Sequence, residues 1–276
     1  MWLADYLTLH GRTEPTSQHS LKPHVQEGVG VSTMFNGTTA ISIVVPTYNE
    51  AASLSDLVCR LHTTMTEAAI TYEVVIVDDG SPDGTGELAE QLAQNYPIRV
   101  VHRLAKSGLA SAVIAGMDVA VSDILGVMDA DLSHPPERVP SLVGALADPE
   151  VDLAIGSRYV IGGGTEDWPR LRWITSVIAN LLTRGLTPVR DATSGFFVIR
   201  RRTLRNVILN PIGFKIGLEV IAKARYARCV EVPYVFTDRK RGRSKFGPAE
   251  VRHFLHQIIL LYRDRVLSVC GRVRKS

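Results

Sequence analysis

The chain has 276 residues, 45% hydrophobic, 21% charged and 7% aromatic, which is globular composition and excludes a wholly disordered or collagen-like polymer. Three widely spaced cysteines, Cys59, Cys229 and Cys270, argue against a disulfide framework or a Cys-based zinc site and for a reducing compartment. The net charge is only +3, yet residues 1–198 hold 12 Lys/Arg against 23 Asp/Glu and residues 199–276 hold 19 against 5. The C-terminal part is therefore expected to face phosphates, nucleic acid or an acidic membrane leaflet.

In chain order, residues 1–39 lack periodicity, are rich in His, Gly, Ser and Thr, and read as a mobile leader, with Met34 as an alternative start. The opening MWLADYLTLHGRTEP lacks the basic region of a secretory signal, and no run reaches the ~18 apolar residues of a membrane span. The chain is thus expected in the cytosol or on a cytosolic membrane face. ISIVV (41–45) predicts a first strand, residues 53–68 a helix with Leu54, Leu57, Val58 and Leu61 on one stripe, and EVVIV (73–77) a second strand. A helix over about 85–95, the strand 98–102, a helix over about 108–121 and the strand 124–128 follow. Next come a helix over about 136–147 and the strand 152–156. This alternation implies an α/β fold with a parallel sheet covered by helices on both faces. Beyond residue 160 the pattern predicts a turn-rich loop (162–170), a helix (171–186), a strand (194–200) and a turn followed by a helix. A strand (229–236), a basic loop (237–247) and a last helix (249–268) complete it.

Four polar motifs follow strand ends, where ligands sit in such sheets, so one site built from four loops is expected. Asp129-Ala-Asp131 closes the fourth strand. Two carboxylates one residue apart can both reach a hard divalent cation, and Ser133 can add an oxygen; taken alone, the pair also fits an acidic turn. An EF-hand does not fit, because His134 stands at the glycine position and prolines follow. Asp78-Asp79, followed by Gly80, Gly84 and Gly86, suits a carboxylate that receives a base or ribose, or a turn with Asp83 capping a helix. Pro46-Thr47-Tyr48-Asn49-Glu50 suits a base and sugar platform, or a plain strand-to-helix turn. Arg158, Arg172, Ser176, Arg239, Ser244 and Lys245 form a basic, hydroxyl-bearing set suited to phosphate, with Arg172 and Ser176 on one helix face. The last helix places Val251, Leu255, Ile258, Ile259, Tyr262 and Val266 on one side. It reads either as an interfacial membrane helix with a basic rim or as a helix packed on the core.

The ordered strings VVPTYNE, VVIVDDGSPDGT, KSGLASAVIAG, VMDADLSHPPE, IGSRY, WPRLR, SGFF, NPIGFKIGLE and VPYVFTDRKRGRSK span about residues 41–247. Together they resemble the inverting family 2 (GT2) glycosyltransferases, and within them the dolichyl- or polyprenyl-phosphate mannose synthases. The resemblance implies a Rossmann-like GT-A fold over residues 40–247, followed by an amphipathic basic helix and tail over 248–276. It implies an enzyme that transfers mannose from GDP-mannose to a polyprenyl or dolichyl phosphate. By resemblance, Pro46, Tyr48, Glu50, Val77, Asp78, Asp79 and Ala130 line the nucleotide-sugar site. Asp129 and Asp131, with Ser133, hold Mg²⁺ or Mn²⁺. Arg158, Arg172 and Ser176 cradle the lipid phosphate. Arg239 and Lys245 close over the donor and complete a catalytic set with Asp129 and Asp131. Ser133 departs from the family, many of whose members carry Gln there. The expected setting is peripheral, on the cytoplasmic face of a membrane, with no nucleic-acid partner and with a small membrane-anchoring protein as a further option. Two other readings stay open: a glucosyl or aminosugar transferase using a UDP-sugar, and an inactive membrane-peripheral scaffold of the same fold.

Overall fold

A computed structural model describes residues 40–166, 168–210, 212–213, 215–238 and 248–273. The proposed leader over 1–39 lies outside these described residues. The elements run β1 (Ile41–Thr47), α1 (Ala51–Glu67), β2 (Tyr72–Asp78), α2 (Thr85–Ala93), β3 (Ile98–His102), α3 (Leu109–Val119) and β4 (Ile124–Val127). They continue with α4 (Val139–Ala145), β5 (Val151–Ser157), β6 (Gly164–Glu166), α5 (Arg170–Leu182), β7 (Phe197–Arg200), α6 (Ile216–Lys223), β8 (Arg228–Pro233), β9 (Val235–Thr237) and α7 (Pro248–Val273). A seven-stranded sheet has the order β3-β2-β1-β4-β7-β5-β8, and β6 pairs with β9 in a separate ribbon.

The central strands are apolar on both faces because both faces are covered. Along β1, Ile41, Ile43 and Val45 pack with Leu54, Leu57 and Leu61 of α1 and with Ala89 of α2. Val44, on the opposite face, packs with Val113 and Met117 of α3 and with Ile258 of α7. Helix α3 lies so close to the sheet that a Cβ at Gly116 would stand 2.4 Å from Val44 Cγ1 and 3.0 Å from Val77 Cγ2. Gly116→Ala should therefore force the helix off β1 and β2, with a loss of about 1–3 kcal/mol from overpacking. Urea unfolding measures it; an unchanged midpoint would contradict this packing.

The regular first half follows the expected alternation. Three later features differ from it. Strand β7 is antiparallel to both β4 and β5. The apolar run 229–236 is two strands: β8 pairs with β5 up to Ser157 opposite Pro233, and β9 then pairs with β6. Proline has no N–H to extend the ladder, so the chain leaves the sheet there. The helix expected over 136–147 begins as a 3-10 turn at Pro136–Arg138, because the prolines at 135, 136 and 140 withhold donors from its first turn. Finally, α7 buries Ile258 and Leu261 in the core while Leu255, Ile259, Val266 and Leu267 stay exposed, so this one helix both packs on the core and carries an outward apolar face.

Candidate active site

The parallel strands all end at one edge of the sheet. Because β7 runs the other way, the segment that leads into it, 191–196, reaches the same edge. Strands β2 and β3 lie to one side of β1, and all later strands of the sheet to the other. The switch point between β1 and β4 is where open α/β sheets bind ligands. The loops 46–50 and 129–134 flank it.

Asp129 keeps 35% of its side chain exposed, enough for a ligand to reach it from solvent. Its backbone N–H donates to His134 Nδ1 at 3.0 Å, which leaves the ring proton on Nε2, 3.8 Å from Asp129 Oδ2. His134 is stacked on Phe196 with 5.0 Å between ring centroids. Burial lowers its pKa against the pull of Asp129 and Asp131, so the ring is neutral. Asp131 Oδ1 accepts the backbone N–H of Ser133 at 3.1 Å and its hydroxyl at 2.6 Å, with Leu132 in the left-handed region at φ 64°. Ser133, nominated by the sequence as a direct oxygen ligand, is thus buried beneath Asp131 and spends its hydroxyl proton on that carboxylate. Ala130 is buried between the two aspartates.

The nucleotide-side residues converge on the neighbouring loops. Asp78 is buried and accepts hydrogen bonds from the Thr47 hydroxyl at 3.2 Å and from Ser81 N–H and hydroxyl at 3.0 and 2.5 Å. Asp79 Oδ2 accepts the N–H groups of Ser107 and Gly108 at 3.0 and 2.9 Å, and Oδ1 lies 3.2 Å from Arg103 Nη1. Both carboxylates therefore organise loops, Asp79 at the start of α3, where an anion is favoured. Pro46 and Val77 are buried and face each other in the β1–β2 register. The half-buried Tyr48 ring lies under Lys106 Nζ at 4.1 Å. The Glu50 N–H donates to the Thr85 hydroxyl, which ties the start of α1 to α2.

Arg158, Arg172 and Ser176 of the basic set gather beyond β5. Arg158 forms a bidentate pair with Asp191, Nε–Oδ2 and Nη2–Oδ1 both at 2.7 Å, and both side chains are buried. Burial opposes the Arg158 charge, but Asp191 outweighs it and raises the pKa; burial likewise opposes the Asp191 charge, and Arg158 holds that carboxyl below its ordinary value. Arg172 lies over the Trp168 ring at 4.3 Å and bonds to Asp238. Ser176 accepts the Tyr159 hydroxyl at 2.7 Å. Arg239, Ser244 and Lys245 lie outside the described residues.

Several site residues escaped sequence reasoning. Asp191 and Asp238 neutralise nominated arginines, but nothing in their local spacing points 33 or 66 positions away. His134 sits inside the DADLSH motif, yet a lone histidine without ligand spacing carries no signal. Lys215 Nζ donates to the Thr193 carbonyl at 2.9 Å. Burial and Arg158 lower its pKa to about 8, against the pull of Asp191 and Asp129.

The profile described as glycosyl transferase family 2 matches residues 42–208. The chain is 43% identical over 237 residues to a dolichol-phosphate mannosyltransferase of Pyrococcus furiosus, covering 83% of this chain and 66% of that one, just under two thirds of the relative. It is 39% identical over 228 residues to a polyprenol monophosphomannose synthase of Mycolicibacterium smegmatis, covering 78% and 84%. A mannosyltransferase from Pyrobaculum calidifontis, solved in complex with GDP-Man and Mn²⁺, superposes with a TM-score of 0.54 at 21% identity, over 76% of this chain and 59% of that one. At that identity the likeness is one of fold.

Proposed function

We propose that this chain, which belongs to glycosyl transferase family 2, transfers mannose from GDP-mannose to a polyprenyl phosphate with inversion, giving polyprenyl phosphate β-mannose. One juxtaposition carries the reading. The solvent-reachable Asp129 passes beside Gly195, and two residues earlier in the same loop Thr193 accepts a hydrogen bond from Arg158. A carboxylate site suited to a metal-bound diphosphate and a cationic set suited to a phosphate thus share one loop.

A phosphomonoester has a second pKa of about 6, so the acceptor is largely a dianion at neutral pH and needs no general base. The protein's work is positioning and charge management. Asp129 and Asp131 are hard oxygen donors, and among the described residues no group of three or more His, Cys, Asp or Glu forms a closed cage. Such a pair fits Mg²⁺ or Mn²⁺, hard ions of the kind held by one or two carboxylates and completed by substrate phosphates and water. When bound, the cation offsets negative charge growing on the GDP leaving group. Arg172 and Ser176, one turn apart on α5, hold the attacking phosphate oxygen behind the anomeric carbon, with Arg158 fixed beside them by Asp191. Arg239 and Lys245 are assigned to the donor side of the closed site. Pro46, Tyr48, Glu50, Val77 and the loops held by Asp78 and Asp79 form the guanosine platform.

The acceptor's tail is lipid, and the surface offers exposed apolar side chains on two helices. Leu171, Trp173, Ile174, Ile178 and Leu181 of α5 and Leu255, Ile259, Val266 and Leu267 of α7 are exposed, with Arg170, Arg252 and Arg263 also on these two helices. No helix among the described residues is long and apolar enough to cross a membrane. Peripheral attachment to a cytoplasmic membrane face, by this surface or with a small anchoring partner, fits both facts.

A nucleotide panel tests the donor. GDP and GDP-mannose should raise the melting temperature in the presence of Mn²⁺ by a few degrees, as expected for the ~2.7 kcal/mol that ligand at a hundred times Kd contributes. A shift confined to UDP and UDP-glucose would replace the donor, and no metal-dependent shift at all would mean an inactive scaffold. Arg172→Ala tests the acceptor. It should raise KM for polyprenyl phosphate by about tenfold or more, the loss of one charge-assisted bond worth ~1.5–3 kcal/mol, with GDP affinity held. Equal losses on both substrates would count against the cradle.

A further inference from the structure

The segment from Asp191 to Gly195 touches both halves of the site, and Thr193 is its hub. Its hydroxyl accepts from Arg158 Nη2 at 3.0 Å and donates to Asp191 Oδ1 at 3.3 Å. Its backbone N–H donates to Asn180 Oδ1 at 3.1 Å, and Asn180 Nδ2 donates to the Ser176 carbonyl at 3.1 Å, which ties the hub to the helix that carries Arg172 and Ser176. Its carbonyl accepts from Lys215 Nζ at 2.9 Å. Two residues on, a Cβ at Gly195 would stand 3.6 Å from His134 and 3.9 Å from Asp129 Oδ1. Behind the loop, α6 comes so close that a Cβ at Gly217 would meet the Ser194 carbonyl at 2.2 Å.

Thr193 is therefore held from three places besides its own loop: Arg158 just past β5, α5 through Asn180, and the residue that opens α6 through Lys215. We propose that Lys215 is a positioning residue for group transfer: through the Thr193 carbonyl it sets the 191–195 loop, and with it the separation between Arg158, Arg172 and Ser176 on one side and Asp129 on the other. An ammonium–carbonyl bond is charge-assisted and stronger than a neutral one. It holds a carbonyl that lies outside the β7 ladder. A methionine in its place keeps the stem and its packing but removes the donor. The kinetic consequence rests on the lipid-phosphate reading above; the structural consequence rests on the loop alone.

The test pairs Lys215→Met with Asn180→Ala, each of which removes one backbone partner of Thr193, and uses Lys215→Arg as rescue. Hydrogen exchange of the 191–195 amides should quicken in the first two variants and return toward wild type in the third. In parallel, KM for polyprenyl phosphate should rise about tenfold, near 1.4 kcal/mol, while Mn²⁺-dependent GDP affinity measured by calorimetry stays at the wild-type value. Unchanged exchange in Lys215→Met, or GDP affinity that falls in step with acceptor use, overturns the assignment. Changed loop exchange in a protein whose wild type transfers no mannose supports the loop assignment and refutes the acceptor reading instead. Should Lys215→Met fail to fold, Lys215→Gln, which removes the charge and shortens the reach to the Thr193 carbonyl, carries the same readouts.

Discussion

Asp131→Ala is expected to cut mannosyl transfer from GDP-mannose by about 10²–10³-fold, the usual cost of removing one preorganised electrostatic group from a reacting centre. The carboxylate stands two positions after Asp129, in the loop that follows β4 beside the switch point between β1 and β4. The structural cost should be small. Asp131 Oδ1 accepts the N–H and hydroxyl of Ser133, and losing such bonds costs about 1 kcal/mol each. Asp131→Asn separates the two effects further, because it keeps an acceptor for Ser133 while removing the charge. Both variants should melt within a few degrees of wild type and lose Mn²⁺-dependent GDP binding. Radiolabelled transfer and calorimetric titration measure this; near-wild-type turnover in either variant removes the metal assignment.

The largest effect on stability is expected from Arg158→Met. Asp191 would keep a charge in a buried position with its bidentate partner gone, and breaking such a pair costs about 3–5 kcal/mol. Adding Asp191→Leu should recover much of the loss, since the orphaned charge leaves with it. The pH dependence has a definite sign. In the wild type the folded Asp191 pKa lies below its ordinary value, so the pair's contribution is present above about pH 4 and is lost as pH falls through the lowered value. In Arg158→Met the guanidinium's lowering influence is gone, and burial, opposed by the residue-158 backbone N–H and by Lys215, raises the same pKa. The folded variant then takes up a proton first and gains stability as pH falls toward about 4, so the gap to wild type narrows. Urea midpoints at several pH values measure it, and a constant gap would sink the ion-pair account.

The order of elements in the first half was legible because each strand and helix announces itself within a few residues. ISIVV and EVVIV are apolar at four positions of five, α1 carries Leu54, Leu57, Val58 and Leu61 on one stripe, and prolines and glycines punctuate the turns. The motifs at the strand ends were legible for the same reason: once β1, β2, β4 and β5 are parallel, their loops must share an edge. Ser133 shows the limit of such reading. Its spacing from Asp131 is compatible with binding a cation or a neighbouring carboxylate, and only the turn at Leu132 decides that its hydroxyl proton goes to Asp131.

The sequence by itself determined an α/β chain with four polar loops at one rim and a positively charged C-terminal part, since hydrophobic period and net charge are local properties summed along the chain. Tertiary structure decided which charges meet: Arg158 with Asp191, Arg172 with Asp238 and, through the Thr193 loop, Asp129 with the phosphate-side arginines. It also decided that β7 runs against its neighbours, which alone brings residues 191–195 to the rim. Those choices depend on the free energy of pairings between residues tens of positions apart, where burial makes each charge demand a specific partner, and no short window of sequence contains both members.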